Sequence, residues 1–269
     1  MKPNSIENPL FYEAEVLTRT RETGDTFTYC FSFVEKSVQK SFRFLPGQFH
    51  LLDIPTLGVY ASVITSNPSE GNFFEHTFQF NSRKGSEYRI VEKLMEGTLV
   101  KVAGPFGRGW TSIDMGGKNI LMIASGLGLR SLKPMINYIA QNRVLFDKVE
   151  VLYSVKTPKD FLYMDEYESW DNANIDMMIS VENIPQNFSW NNRKGMIVGL
   201  LKDMKSNPNN TIVLMSGPEM TLKYAVYFLE KQHYQPEQVY VSLDYLLNSG
   251  EGKIYAGPIF NLSDIKMFY

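Results

Sequence analysis

Ile120-Leu121-Met122-Ile123-Ala124-Ser125-Gly126-Leu127-Gly128 decides the fold of this chain. Residues 120–124 are an unbroken apolar run of the kind that forms a fully buried strand. Ser125–Gly128 is a glycine-rich turn, and residues 132–140 follow with helical spacing. A strand, a glycine turn and a helix in that order let backbone N–H groups approach a pyrophosphate, with the helix dipole assisting. The same residues also make a tight packing turn that binds nothing.

The rhythm continues downstream. Strands are expected at 149–153, 176–181, 211–215 and 238–241, with helices at 164–170, 195–204 and 221–231. Strands alternating with helices build a doubly wound parallel sheet. Upstream the pattern is different. Runs rich in Val, Phe, Tyr and Thr at 12–18, 27–33, 48–53, 60–65, 74–80 and 99–102 are separated by turn residues such as Pro46-Gly47 and Ser66-Asn67-Pro68. That spacing predicts a small antiparallel β-barrel, with a helix at 87–95 that Gly97 stops. Glycines cluster in Asp114-Met115-Gly116-Gly117-Lys118, so the expected division is a barrel over 1–114 and an α/β nucleotide-binding domain over 115–269.

Composition narrows the function. The 269 residues carry a formal net charge of -2, which argues against a general nucleic-acid binder. The single cysteine, Cys30, rules out a disulfide framework and thiolate-rich metal sites. His50, His76 and His233 are scattered without metal-ligand spacing and are expected to be packed or surface residues. No secretory signal is visible, and no apolar run approaches the ~20 residues that span a bilayer. The expectation is a soluble cytoplasmic protein without a transmembrane segment.

Met215-Ser216-Gly217-Pro218 ends another predicted strand, and ligands of open α/β sheets bind at the carboxyl ends of strands. Neither this turn nor the one at Ser125 pairs a nucleophile with a base, which disfavours a hydrolase. Lys156 also follows a strand end, where it reaches a ribose or a 2′-phosphate, or else stays a solvated surface lysine; Arg130 has the same ambiguity. In the first half, Phe44-Leu45-Pro46-Gly47-Gln48-Phe49 and Gly104-Pro105-Phe106-Gly107-Arg108-Gly109-Trp110 hold glycines that permit close backbone approach. Phe106 and Trp110 are placed to flank a ring system or to fill a core.

Taken in order, Pro46-Gly47-Gln48-Phe49, Gly104-Pro105-Phe106-Gly107, Ser125–Gly128, Ser216-Gly217-Pro218 and the stretch 236–243 resemble the ferredoxin–NADP⁺ reductase superfamily over nearly the whole chain. The nearest resemblance is to the flavoprotein electron-transfer subunits of dihydroorotate dehydrogenase, sulfhydrogenases and anaerobic sulfite reductase. It implies that the barrel binds FAD, that the α/β half binds NAD(P)H, and that electrons leave through a [2Fe–2S] cluster near the C-terminus. This chain departs from the pattern at several points. The cluster loop has no cysteine, and Ser249 stands at the first ligand position, so no [2Fe–2S] cluster is expected. On the flavin strand, Gly58-Val59-Tyr60-Ala61-Ser62-Val63-Ile64-Thr65, the motif serine falls on Val63 by length; shifted by one, Tyr60 and Ser62 serve instead. The phosphate motif appears as Gly85-Ser86-Glu87-Tyr88, with a negative charge at the helix start, and the nicotinamide motif ends in Arg130-Ser131 instead of Ala-Pro.

The resemblance assigns Tyr60, Ser62, Thr65, Gly85, Ser86, Gly104 and Phe106 to FAD, with Trp110 beside them, and Gly126, Gly128, Lys156, Ser216 and Gly217 to NAD(P)H. The expected function is FAD-dependent NAD(P)H oxidation with electrons passed to a redox partner protein or a catalytic subunit. The alternative is a non-catalytic subunit of a multisubunit oxidoreductase that keeps the fold and has lost one or both cofactors. No side chain is expected to act as a general acid or base, because the chemistry belongs to the cofactors.

Overall fold

The computed structural model describes residues 6, 8–79, 94–186, 188–243, 247 and 258–265. These residues group into two compact units. One lies within Met1–Ser112 and includes Leu247 and Pro258; the other lies within Ile113–Leu243 and includes 259–265.

The first unit contains strands β1 (Tyr12–Arg21), β2 (Thr26–Phe33), β3 (Phe49–Ile54), β4 (Gly58–Val63), β5 (Phe74–Gln79) and β6 (Leu99–Phe106), with a short helix α1 (Lys36–Ser41) after β2. They pair antiparallel in the order β4-β3-β6-β1-β2-β5. The two ends of this sheet meet, because the Thr65 N–H donates to the Glu75 carbonyl at 2.8 Å and His76 Nδ1 lies 2.8 Å from the Val63 carbonyl. The sheet thereby curls into a barrel and its edges are not left open. Alternation produces the inside: Ala14 and Val16 are buried while Glu13 and Glu15 between and beside them are exposed. The interior is aromatic, with Phe31 stacked on Phe74 at 5.5 Å and Tyr29 against Phe78 at 5.9 Å.

Strand β3, and β4 from Ala61 on, are buried on both faces, while Gly58 and Val59 at the start of β4 are exposed. Leu52 and Ile54 join the interior cluster with Phe31 and Phe74. On the opposite face Phe49, Leu51, Ala61, Val63 and Ala103 form a second cluster, completed by Leu247 and flanked by Ile6, Phe11 and Phe106. Leu247 lies more than a hundred residues beyond the barrel strands in sequence, yet it packs in this unit.

The second unit runs β7 (Asn119–Ser125), α2 (Leu129–Gln141), β8 (Val149–Val155), α3 (Tyr167–Asn172), β9 (Asp176–Val181), β10 (Arg193–Lys194), α4 (Ile197–Asp203), β11 (Thr211–Ser216), α5 (Glu219–Lys231), β12 (Val239–Ser242) and β13 (Ile259–Asn261). The sheet order is β10-β9-β8-β7-β11-β12-β13, parallel except for the antiparallel β12–β13 pair. Central strands are covered on both sides, so every residue of β8 and β11 is buried.

The fold class is the expected one: an antiparallel barrel and a doubly wound sheet. Some boundaries differ. Strand β6 runs on to Phe106, which pairs with Phe49 beyond a register irregularity that holds Gly104 at positive φ. Helix α2 starts at Leu129, directly after a 3₁₀ turn at Gly126–Gly128. Residues 164–166 form a 3₁₀ turn that leads into α3. Residues 94 and 95 of the expected helix at 87–95 are not helical, and 87–93 lie outside the described residues. Among the described residues no helix is long and apolar enough to cross a membrane, and no cluster of His, Cys, Asp and Glu could hold a metal ion.

Candidate functional site

Strand order places the candidate site. From β7 the chain builds β8, β9 and β10 on one side and then returns to build β11, β12 and β13 on the other. The direction of winding reverses between β7 and β11, the place where open α/β sheets bind their ligands, and the turns leaving these neighbours lie side by side at the carboxyl edge. Those turns are Ser125–Gly128 and Ser216-Gly217-Pro218.

The glycines there have different jobs. Gly126 has φ +53°, and a Cβ built on it meets nothing within 4 Å. Open space at positive φ is what a backbone needs to approach a ligand. Gly128 has no such space: its Cβ would lie 2.2 Å from the Ser216 carbonyl oxygen. It serves packing, holding the two turns against each other. Gly217 is less tightly placed, since its Cβ would come 3.2 Å from Ser125 Cβ. Ser125 Oγ is 3.4 Å from Ser154 Oγ on β8. Ser216 is 1% exposed, and its Oγ has no hydrogen-bond partner among the described residues. Its register neighbour Ser242 on β12 is in the same condition. A buried hydroxyl without a partner costs roughly 1–3 kcal/mol, and a polar ligand at this edge would relieve that cost.

Helix α2 presents its N-terminus at this turn. Its N-cap, Gly128, offers no side-chain cap and its first turn has no acidic residue, a setting that favours an anion, while the Leu129 N–H is bonded to the Gly126 and Leu127 carbonyls. Arg130, in the first turn of α2, is 8% exposed. Lys133, also buried, bridges to Glu166 at 2.9 Å and lies over the Tyr163 ring at 4.5 Å. Lys156 is exposed just past β8. Its turn is locked by Asp160, which accepts from the Thr157 backbone N–H at 2.8 Å and from its hydroxyl at 2.9 Å.

Tyr153 was not among the residues expected from sequence. Its hydroxyl donates to the Gly126 carbonyl at 3.2 Å, and its ring packs edge-on against Phe161 at 5.6 Å. Burial, aided by the nearby Tyr167, pushes its pKa well above the usual tyrosine value, so it stays a donor. In sequence it is one more residue of a buried run, and nothing local signals that its oxygen reaches a glycine carbonyl.

The barrel candidates are placed differently. Tyr60 is paired in register with Leu52, and Ser62 with His50, so both belong to the inner side of the barrel. Tyr60 packs edge-on against Phe78 at 5.8 Å. Ala61 and Val63 occupy the other side, opposite Leu51 and Phe49. Thr65 is fully buried and accepts from Thr77 Oγ1 at 3.3 Å, which in turn shares a 2.8 Å bond with Thr28. Gly104 is hemmed in, with His50 Cδ2 2.9 Å and the Phe49 carbonyl oxygen 3.1 Å from its Cβ position. Phe106 packs on Phe49 at 5.9 Å, and Trp110 is completely buried. Gly85 and Ser86 lie outside the described residues. His50 and His76, scattered in sequence, meet inside the barrel with Nδ1 of the first 3.1 Å from Nε2 of the second.

A pyridine dinucleotide fits this edge of the α/β unit: Gly126 leaves room, the α2 terminus favours an anion, and Ser216 holds an unspent hydroxyl. A flavin ring does not fit β4 in the same way, because the described side chains expected to hold it are committed to internal packing.

Comparison with known proteins supports the nucleotide half of this division. Residues 122–226 match the oxidoreductase NAD-binding domain. The chain is 29% identical to the sulfhydrogenase 1 gamma subunit of Pyrococcus furiosus over 94% of its own length and 86% of that protein. It is 22% identical to a probable dihydroorotate dehydrogenase B (NAD(+)) electron transfer subunit of Methanocaldococcus jannaschii, over 80% of this chain and 73% of that one. A ferredoxin NADP+ reductase from Neisseria gonorrhoeae, solved with bound FAD and NADP, superposes with TM-score 0.71 at 19% identity, covering 86% of this chain and 97% of that one. The fold, the matched domain and these relatives together fit the chain to the ferredoxin–NADP⁺ reductase superfamily.

Proposed function

We propose that the chain is the pyridine-nucleotide-binding subunit of a multisubunit oxidoreductase and takes part in NAD(P)H-linked electron transfer to a partner subunit. The observation that carries this reading is the open approach to Gly126 at the switch point between β7 and β11, with the unpartnered Ser216 hydroxyl on the neighbouring strand end. Gly126 and the α2 terminus would hold the pyrophosphate, Gly128 and Gly217 keep the two turns in register, and Ser216 would meet the nicotinamide end. Lys156 would contact the adenosine ribose or its 2′-phosphate. The matched domain and the electron-transfer relatives support the same reading. With one cysteine, the chain has no iron–sulfur cluster of its own in this proposal.

Titration of the purified chain with NADH and NADPH, followed by ligand fluorescence, tests it. Saturable binding is expected, and Gly126→Val should abolish it while the protein stays folded. Lys156→Ala should weaken NADPH several-fold more than NADH if the lysine meets the 2′-phosphate. Absence of any saturable binding by the folded wild type would overturn the proposal.

FAD as the group between NAD(P)H and the partner is the expectation drawn from the relatives, and the packing of β4 speaks against it. That packing favours a second reading, a subunit that keeps the reductase fold as a scaffold. A chain that assembles with its partner normally as Gly126→Val would support the scaffold.

A further inference from the structure

We infer that the barrel of this chain does not seat a flavin ring on β4. The first reason is burial: Gly58 and Val59 at the start of β4 are exposed, but from Ala61 through Asn67, where the flavin motif falls, every residue is less than a tenth exposed. A strand that receives a tricyclic ring needs an accessible face.

The second reason is the identity of the two faces. The inner face, with Tyr60, Ser62 and His50, is closed by the aromatic barrel core. The outer face at Ala61 and Val63 is apolar, and it is filled by Phe49, Phe106 and Leu247. Matched by length, the position where the resemblance calls for a hydroxyl holds Val63; matched with a shift of one it holds Ser62, which is buried opposite His50.

The third reason is that the polar atoms of this segment are already spent. The Ile64 N–H donates to the Gln48 carbonyl at 2.9 Å and the Thr65 N–H to the Glu75 carbonyl at 2.8 Å. The Val63 carbonyl pairs with His76 Nδ1 at 2.8 Å, and Ser66 Oγ accepts from the Glu75 N–H at 3.1 Å. The pyrimidine edge of an isoalloxazine carries several donors and acceptors that need partners when buried. To supply them, this segment would have to break the bonds that close the barrel between β4 and β5.

Any hydride acceptor for NAD(P)H therefore lies outside this strand. The inference is independent of the proposed nucleotide site, because the two rest on different units. One preparation tests both. The full chain is purified, incubated with excess FAD and with FMN, and freed of unbound flavin by gel filtration. Hydrogen–deuterium exchange is then compared with and without each flavin and with NADH. The expected result is colourless protein, no flavin co-eluting, and unchanged exchange in β3, β4 and β6. A flavin absorbance band co-eluting at one flavin per chain, with protection of β4, overturns the inference and leaves the nucleotide proposal intact. Loss of NADH binding alone overturns the nucleotide proposal and leaves the inference standing. A cooperative thermal transition of the same sample establishes that the protein tested is folded.

Discussion

Gly126 and Gly128 stand two residues apart and are needed for opposite reasons, one for space and one for the lack of it. The difference is measurable. Gly128→Ala forces a methyl group onto the Ser216 backbone, and overpacking of this kind costs about 1–3 kcal/mol. A drop of several degrees in Tm is expected by calorimetry. Gly126→Ala meets no atom but strains a left-handed residue, at about 1–2 kcal/mol. It should lower nucleotide affinity by more than its Tm effect suggests, because the methyl group stands where the ligand approaches. Equal loss of affinity in both variants at equal Tm would show that Gly126 has no role beyond folding.

His50 gives a second prediction at this scale. It is fully buried between Phe42, Phe74 and His76, and burial followed by the neighbouring imidazole holds its pKa well below 6.5. If His76 Nδ1 carries the proton given to the Val63 carbonyl, then His50 Nδ1 donates to His76 Nε2, and both rings are neutral. The folded state refuses a proton that the unfolded chain accepts below about pH 6.5. Stability from this group is therefore present at neutral pH and falls as pH drops through 6.5, by up to about 1.4 kcal/mol per pH unit. Urea titrations at pH 7.5 and 5.5 should show a shallower pH dependence for His50→Gln than for wild type. Identical slopes would mean that His50 protonates in place.

Among the elements, the connections outside the strands matter most. Glu150, at the start of β8 and 4% exposed, accepts from the backbone N–H groups of Lys205 and Ser206, both at 2.9 Å, and from the Ser206 hydroxyl at 2.6 Å. It ties the segment after α4 to the sheet. Glu150→Gln places a donor against donors and should cost about 2 kcal/mol, read as a lower urea midpoint at unchanged m-value. Helices α2 and the segment leading to α3 are joined by Lys133–Glu166 and by Asn137, which donates to Glu166 at 2.7 Å and accepts from the Trp170 indole at 2.6 Å. None of these pairs could be read from sequence. The elements themselves could: unbroken apolar runs marked β7 and β11, and alternation marked β1. Elements such as α1, β10 and β13 were not foreseen. α1 buries none of its residues, and the two short strands at the ends of the sheet exist through pairing with β9 and β12.

At the scale of the whole molecule, the two units have separate cores, so a ligand of one need not stabilise the other. Saturating NADH should protect amides around Ser125–Gly128 and 216–218 from hydrogen exchange while leaving β1, β2 and β5 unaffected. Protection spread evenly over both units would contradict that separation. The order of motifs along the chain was enough to determine the architecture, the place of the glycine turns and the want of thiolates, because these follow from periodicity, turn chemistry and residue counts. Which way Tyr60, Ser62 and Val63 face was a different matter. A shift of one residue exchanges the faces of a strand, and both faces of β4 are covered from Ala61 on, so no alternation of polar and apolar residues betrays its register there. Tertiary pairing of β4 with β3, and the arrival of Leu247 from far along the chain, decided it.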